Sequence, residues 1–178
     1  MPRLFTGLEI PDALRLQLSA YRGGLPGARW VEPENYHVTL RFIGDIEAGT
    51  AREVVAALEE VSPRGPVEVT FETLDSFGGR QPRVVMARAG ANPALAELQA
   101  EQEQLLRRIG LPPESKRFVP HLTLARLRNV SSTEVARYIA MHGQFAKLSF
   151  TARRFVLYSS RASVGGGPYV VEAGYPLD

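Results

Sequence analysis

Two short stretches carry the residues best suited to chemistry, His37-Val38-Thr39-Leu40 and His121-Leu122-Thr123-Leu124. On an extended strand residues i and i+2 share a face, so each copy would present a His and a Thr together while its aliphatic residues turn towards a core. The chain has only three histidines, and two of them occupy the same local context 84 residues apart. A single His-x-Thr on a strand is ordinarily packing, but a duplicate makes a constellation. Splitting a phosphodiester needs a base on the attacking oxygen, an acid on the leaving oxygen across phosphorus, and donors for the non-bridging oxygens. With an ordinary pKa of about 6.5, one imidazole can be neutral while its partner is protonated near neutral pH. The two threonine hydroxyls can donate to the phosphoryl oxygens.

Other chemistries find little support. The chain has no cysteine, hence no disulfide framework and no Cys-based zinc site, and three scattered histidines make a poor metal cage. It has neither a carboxylate cluster nor a Gly-rich loop ending in Gly-Lys-Ser/Thr, which removes two-metal and nucleoside-triphosphate chemistry. No metal and no cofactor are expected. Gly165-Gly166-Gly167-Pro168 could hug a phosphate, but three glycines without a following lysine more often make a mobile turn. His142 reads as a C-terminal helix cap interacting with the helix dipole.

Over 178 residues, 44% hydrophobic and 22% charged, the composition is that of an ordinary globular chain with a substantial core. No apolar run approaches a membrane span, and Met1-Pro2-Arg3-Leu4-Phe5 lacks the features of a secretory signal, so the chain is read as cytosolic and not membrane-bound. The net charge of +2 hides an asymmetry. From Arg107 to Arg161 eleven Arg/Lys face only Glu114 and Glu134, an excess of nine positive charges that would suit a phosphate-rich partner.

The elements that must position the motifs follow from periodicity and punctuation. A strand over 3–10 is followed by a helix opened by Pro11-Asp12, and a brief strand over 28–31 precedes the first motif strand, 36–43. Thr50-Ala51-Arg52-Glu53 has the form of a capping box for a helix with Val54, Val55, Leu58 and Val61 inward. A hairpin over 66–77 and 83–89 is followed by a helix from Pro93 to about Ile109, with Leu95, Leu98, Leu105 and Leu106 in the core and Gly110 as its stop. The second motif strand, 119–127, leads to a second capping box at Ser131-Ser132-Thr133-Glu134. Strands over 147–151, 154–158 and 169–173 complete the chain. Motif strand, loop, capped helix occurs twice, which points to two related lobes facing each other across a pseudo-twofold axis.

The same residues resemble the two-histidine (2H) phosphoesterases, and within them the RNA 2′,3′-cyclic phosphodiesterases, also called 2′-5′ RNA ligases (LigT/ThpR-like). The likeness extends over nearly the whole chain: Arg3-Leu4-Phe5 with Glu9-Ile10-Pro11, Trp30-Val31 before His37 to Gly44, Phe118 to Arg126, and Val156 to Ser160 before Gly167-Pro168-Tyr169. Threonine in both copies favours this branch over the splicing-related 2H enzymes. The resemblance implies a bilobed α/β (α+β) fold, a single domain over 1–178 with the site in the central cleft, and metal-independent hydrolysis of an RNA 2′,3′-cyclic phosphate end to a 2′-phosphate. It further implies His37 as general acid on the 3′-oxygen, His121 as general base on water, Thr39, Thr123 and Arg126 on the phosphate, and Phe42 against the nucleobase. The expected partner is RNA ending in a cyclic phosphate, such as a cleaved tRNA half, and the expected state is a monomer. Pseudo-symmetry allows the two histidines to exchange roles.

Strict alternation conflicts with two of these assignments. Counted from the histidines, Arg126 and Phe42 fall on the core side of their strands, and Arg126 reaches the phosphate only if its strand bulges near Ala125. The alternatives are a 2H enzyme acting on a cyclic nucleotide, a 2′-5′ oligonucleotide or an ADP-ribose cyclic phosphate, or a non-catalytic nucleotide- or RNA-binding protein.

Overall fold

The structure is a computed structural model in which residues 3–160 and 168–178 are described; Gly165, Gly166 and Gly167 lie outside them. The elements, in order, are β1 (Arg3–Glu9), α1 (Asp12–Ser19), β2 (Ala28–Trp30), a 3₁₀ turn (Pro33–Asn35), β3 (His37–Asp45), α2 (Ala48–Leu58), β4 (Val67–Phe77), β5 (Val84–Ala89), α3 (Pro93–Arg108), β6 (His121–Leu127), α4 (Ser132–Met141), β7 (Leu148–Ala152), β8 (Arg154–Ser160) and β9 (Tyr169–Pro176). The strands form two antiparallel sheets, in the order β3-β1-β8-β9 and β2-β6-β5-β4-β7. Each sheet holds one motif strand, and β3 packs against β6. The sheets are not contiguous in sequence, because β2 crosses to the second and β8 and β9 return to the first.

Burial follows position in the sheet. The central strands β1 and β8 are buried along almost their whole length, whereas the edge strand β9 is mostly exposed. One apolar core, including Leu8, Val38, Leu58, Phe71, Leu98, Leu122 and Phe155, joins sheets and helices. A second, small cluster of Phe5, Val156 and Tyr158, with Tyr169 packed on it, lies apart. In α3 the anticipated Leu95, Leu98, Leu105 and Leu106 are buried together with Gln102, whose carbonyl oxygen accepts from the Thr6 hydroxyl at 2.6 Å.

The two predicted capping boxes diverge. Ser131 caps α4, its hydroxyl accepting from the Glu134 N–H at 3.1 Å. Thr50 does not cap α2, whose N-cap is Glu47 without a side-chain bond. The reason lies in the preceding strand: β3 runs on to Asp45, past the expected stop at Gly44, and leaves only Ile46 and Glu47 before the helix, so Thr50 falls within its first turn. The second motif strand begins at His121, two residues later than expected. Pro120 has no N–H to give a ladder, and its carbonyl instead accepts from Ala89 at 3.0 Å.

Gly7 stands where β1 comes closest to the first motif. It pairs with Thr39, and a Cβ there would lie 2.7 Å from the Val38 carbonyl and 3.2 Å from the Tyr158 ring. Gly7→Ala should therefore cost about 1–3 kcal/mol, the range for overpacking a filled site, read as a lower urea midpoint; an unchanged midpoint would mean that β1 and β3 can separate freely.

Candidate active site

The chain enters each motif strand through a short irregular segment whose carbonyl holds a histidine. His37 Nδ1 lies 2.8 Å from the Asn35 carbonyl oxygen and His121 Nδ1 lies 2.7 Å from that of Val119. A carbonyl can only accept, so the geometry assigns the proton to Nδ1 in both rings and leaves Nε2 as the available nitrogen. His37 Nε2 is 3.0 Å from Thr39 Oγ1, and in this tautomer the hydroxyl donates to it. The two-residue spacing of the motif thus has a direct use: strand alternation puts the hydroxyl within reach of the ring.

Both motif strands carry a bulge at the same place. Across β1 and β3 the register passes from Thr6↔Arg41 to Gly7↔Thr39, and across β5 and β6 from Val85↔Ala125 to Met86↔Thr123. Leu40 and Leu124, each three residues after its histidine, are the extra residues. Two consecutive buried residues follow in each strand, Leu40-Arg41 and Leu124-Ala125, after which Phe42 and Arg126 emerge as exposed. The bulge reverses the parity, so that Phe42 and Arg126 return to the side of the histidines. The Arg41 N–H at the bulge donates to Thr6 Oγ1 at 3.1 Å.

His37, Thr39, Phe42 and Arg126 line one cavity of about 380 Å³ with Arg3, Phe5, Lys116, Ser160 and Tyr169. His121 and Thr123 do not line it, but share the less buried side of β6 with Arg126. Proximity is nonetheless electrostatic as well as topological: the charge on His121 bears on His37, and Arg126 bears on both rings. Burial pushes the His37 imidazole down to about 4, and His121 and Arg126 push in the same direction against the favourable Asn35 carbonyl. His121 is also lowered, by burial first and then by Arg126 and Arg88, against the Val119 carbonyl. Rings crowd the partly buried His37, with Phe5 and Tyr169 each 5.0 Å and Tyr158 5.6 Å from it centre to centre. At His121, Phe77 meets the ring edge-on at 4.9 Å.

Arg3, Phe5, Lys116, Ser160 and Tyr169 had no assigned role from sequence. Four of them belong to the stretches that carry the family resemblance, and Lys116 to the basic half, but neither signal says that they share a cavity. Arg3 lies over the Phe42 ring, 5.4 Å from its centre. His142 takes the C-cap position of α4, its ring against Tyr21 and Tyr138. Among the described residues no group of three or more His, Cys, Asp or Glu could hold a metal ion, and no helix is long and apolar enough to cross a membrane. What the arrangement offers a phosphoryl group is two imidazoles, two hydroxyls and a guanidinium.

The sequence profile described as LigT like Phosphoesterase matches residues 8–86 and again residues 88–169. Each matched segment contains one His-x-Thr, in keeping with the internal repeat. The RNA 2′,3′-cyclic phosphodiesterase of Aquifex aeolicus (strain VF5) is 39% identical over 106 residues, 57% of this chain and 56% of that protein. That of Bacillus subtilis (strain 168) is 30% identical over 130 residues, 70% of this chain and 71% of that protein. The match thus spans little more than half the length of the Aquifex relative. Among solved structures, Escherichia coli LigT complexed with 3′-AMP superposes with a TM-score of 0.77 at 22% identity, covering 99% of each chain. A protein of Thermus thermophilus gives 0.80 at 22% identity, covering 98% of this chain and 97% of that one. At such identities the likeness concerns the fold.

The depressed His37 has a consequence for stability. An unfolded histidine binds its proton near pH 6.5, so between about 4 and 6.5 the unfolded chain holds more protons than the folded one. Stability should rise with pH across that window and be lost as pH falls through it. Urea midpoints measured from pH 4 to 7 should show the rise, with a shallower slope in His37→Gln; an equal slope would mean that the ring is not buried in its neutral form.

Proposed function

The chain belongs to the LigT-like phosphoesterases, and on that premise we propose that it hydrolyses RNA 2′,3′-cyclic phosphate ends to 2′-phosphomonoesters. The observation that carries the reading is the pair of matching half-sites: two strands packed together, each with a His whose Nδ1 is held by a carbonyl, so that Nε2 is the nitrogen left to exchange a proton. His121 Nε2 takes a proton from water as its oxygen attacks phosphorus. The bond to the 3′-oxygen breaks, and His37 delivers a proton from Nε2 to that oxygen. Thr39, Thr123 and Arg126 stabilise the charge gathering on the non-bridging oxygens. Phe42, which lines the cavity with Thr39 and Arg126, offers a face for the terminal base.

Electrostatics adds a condition. Burial keeps His37 neutral near pH 7, so the acid must gain its proton as the anionic ester binds and offsets both desolvation and Arg126. A 5′-hydroxyl replacing water would yield a 2′-5′ linkage by the same two transfers, so ligase activity accompanies hydrolysis. The donors named are hydroxyls, imidazoles and a guanidinium, which supports a reaction without a metal ion.

The test is incubation of RNA ending in a 2′,3′-cyclic phosphate, in the presence of chelator, with identification of the product. A 2′-phosphate is expected. Activity lost to chelator and restored by a divalent metal would contradict the mechanism, and tight binding without turnover would make the cleft a receptor. His37→Ala and His121→Ala should each lower kcat by about 10² to 10⁴, the loss of one acid or base, and the double variant should cost little more than either alone. A substrate with sulfur in place of the bridging 3′-oxygen needs no acid and should restore His37→Ala alone; restoration of His121→Ala instead would exchange the two roles.

A further inference from the structure

Charge in the cavity exceeds what one cyclic phosphate requires. Such an ester carries one negative charge, and Arg126 is the cation that bears on both histidines. Lys116 lines the same cavity but does not figure among the groups that bear on either ring. It is exposed, and so stands at the rim. Among the described residues neither Lys116 nor Arg126 forms an ion pair, and no carboxylate lines the cavity.

The segment that carries Lys116 is anchored to the first motif strand. Arg41, buried next to Phe42, pairs through Nε with Glu103 of α3 and donates from Nη2 to the Pro112 carbonyl at 2.5 Å. The other Glu103 oxygen accepts from the Glu114 N–H at 3.0 Å, and Glu114 Oε1 accepts from the Lys116 N–H at 3.2 Å. Burial raises the Glu103 carboxyl, but Arg41 and the Glu114 N–H outweigh it and hold the group below its ordinary value, so it stays ionised. The stretch between Pro112 and Lys116 is thereby tied to the strand of His37 directly at Pro112 and, through Glu103 of α3, at Glu114, whose side chain in turn holds the Lys116 N–H; that is more than a solvated surface lysine needs. A volume of about 380 Å³ is enough for a terminal nucleoside, and the next phosphate then falls at the rim.

We propose that Lys116, positioned by the buried Arg41–Glu103 pair, binds the phosphodiester on the 5′ side of the terminal nucleotide. The proposal rests on the activity proposed above and adds where the RNA chain leaves the cleft. Lys116 is a binding residue, and Arg41 and Glu103 are positioning residues that act through it.

The experiment compares a nucleoside 2′,3′-cyclic monophosphate, which lacks that phosphodiester, with a dinucleotide ending in the same cyclic phosphate. The wild type should favour the dinucleotide in kcat/KM. Lys116→Ala should cut that preference about tenfold, the scale of one hydrogen bond to a charged group, chiefly through KM; Lys116→Arg should keep most of it and Glu103→Gln should lose part of it. A neutral methylphosphonate in place of the phosphodiester should remove the preference from the wild type and cost Lys116→Ala nothing more. If both substrates are turned over and Lys116→Ala leaves their ratio unmoved, this inference fails alone; if the wild type turns over neither, the activity fails with it.

Discussion

The extra residue that both motif strands carry three positions after the histidine, Leu40 in β3 and Leu124 in β6, is the constraint on which the site depends. Without it, alternation would turn Phe42 and Arg126 into the core, where an unpaired guanidinium would cost several kcal/mol. With it, His, Thr and the residue five after the His share a side, and the core takes the residue between. That exchange has to be accommodated. In β6 the residue is Ala125, which fits without further partners. In β3 it is Arg41, whose guanidinium needs Glu103 and the carbonyls of Phe42 and Pro112, and whose N–H needs Thr6. The two half-sites are therefore alike in backbone and unlike in what supports them.

That inequality extends to the histidines. Each ring is fixed in the same tautomer by a carbonyl two residues before it, but His37 sits among Phe5, Tyr158 and Tyr169 while His121 meets Phe77. Packing rings around an imidazole removes the water that would solvate its cation, which is why His37 is pushed down to about 4. A repeat in sequence thus yields two imidazoles in unlike surroundings, both lowered by burial.

Periodicity and punctuation made much of this legible. The His-x-Thr duplication, the hairpin, α3 with its four core leucines and the Ser131 cap all follow from local rules that the fold obeys. What escaped was decided by tertiary context. Thr50 has the residue pattern of a cap, but the length of β3 determines where the helix can begin. The bulges leave no mark in composition: Leu40-Arg41 and Leu124-Ala125 read as ordinary strand, and only the misfit of Arg126 and Phe42 with strict alternation signalled that something must break the period. Phe5, Tyr169 and Lys116 come from three distant parts of the chain, and their convergence on one cavity is a property of strand order, which local spacing does not encode.

The central claim is that both imidazoles act on one phosphoryl group. Long-range ¹H–¹⁵N spectra of the histidine rings during titration with a nucleoside 2′-monophosphate, the expected product, test it most directly. The account predicts that Nδ1 stays protonated in His37 and His121, that both Nε2 resonances move on one saturation curve with a single Kd, and that His142 stays still. Movement of only one of the two rings, or two separate curves, would contradict a shared phosphate.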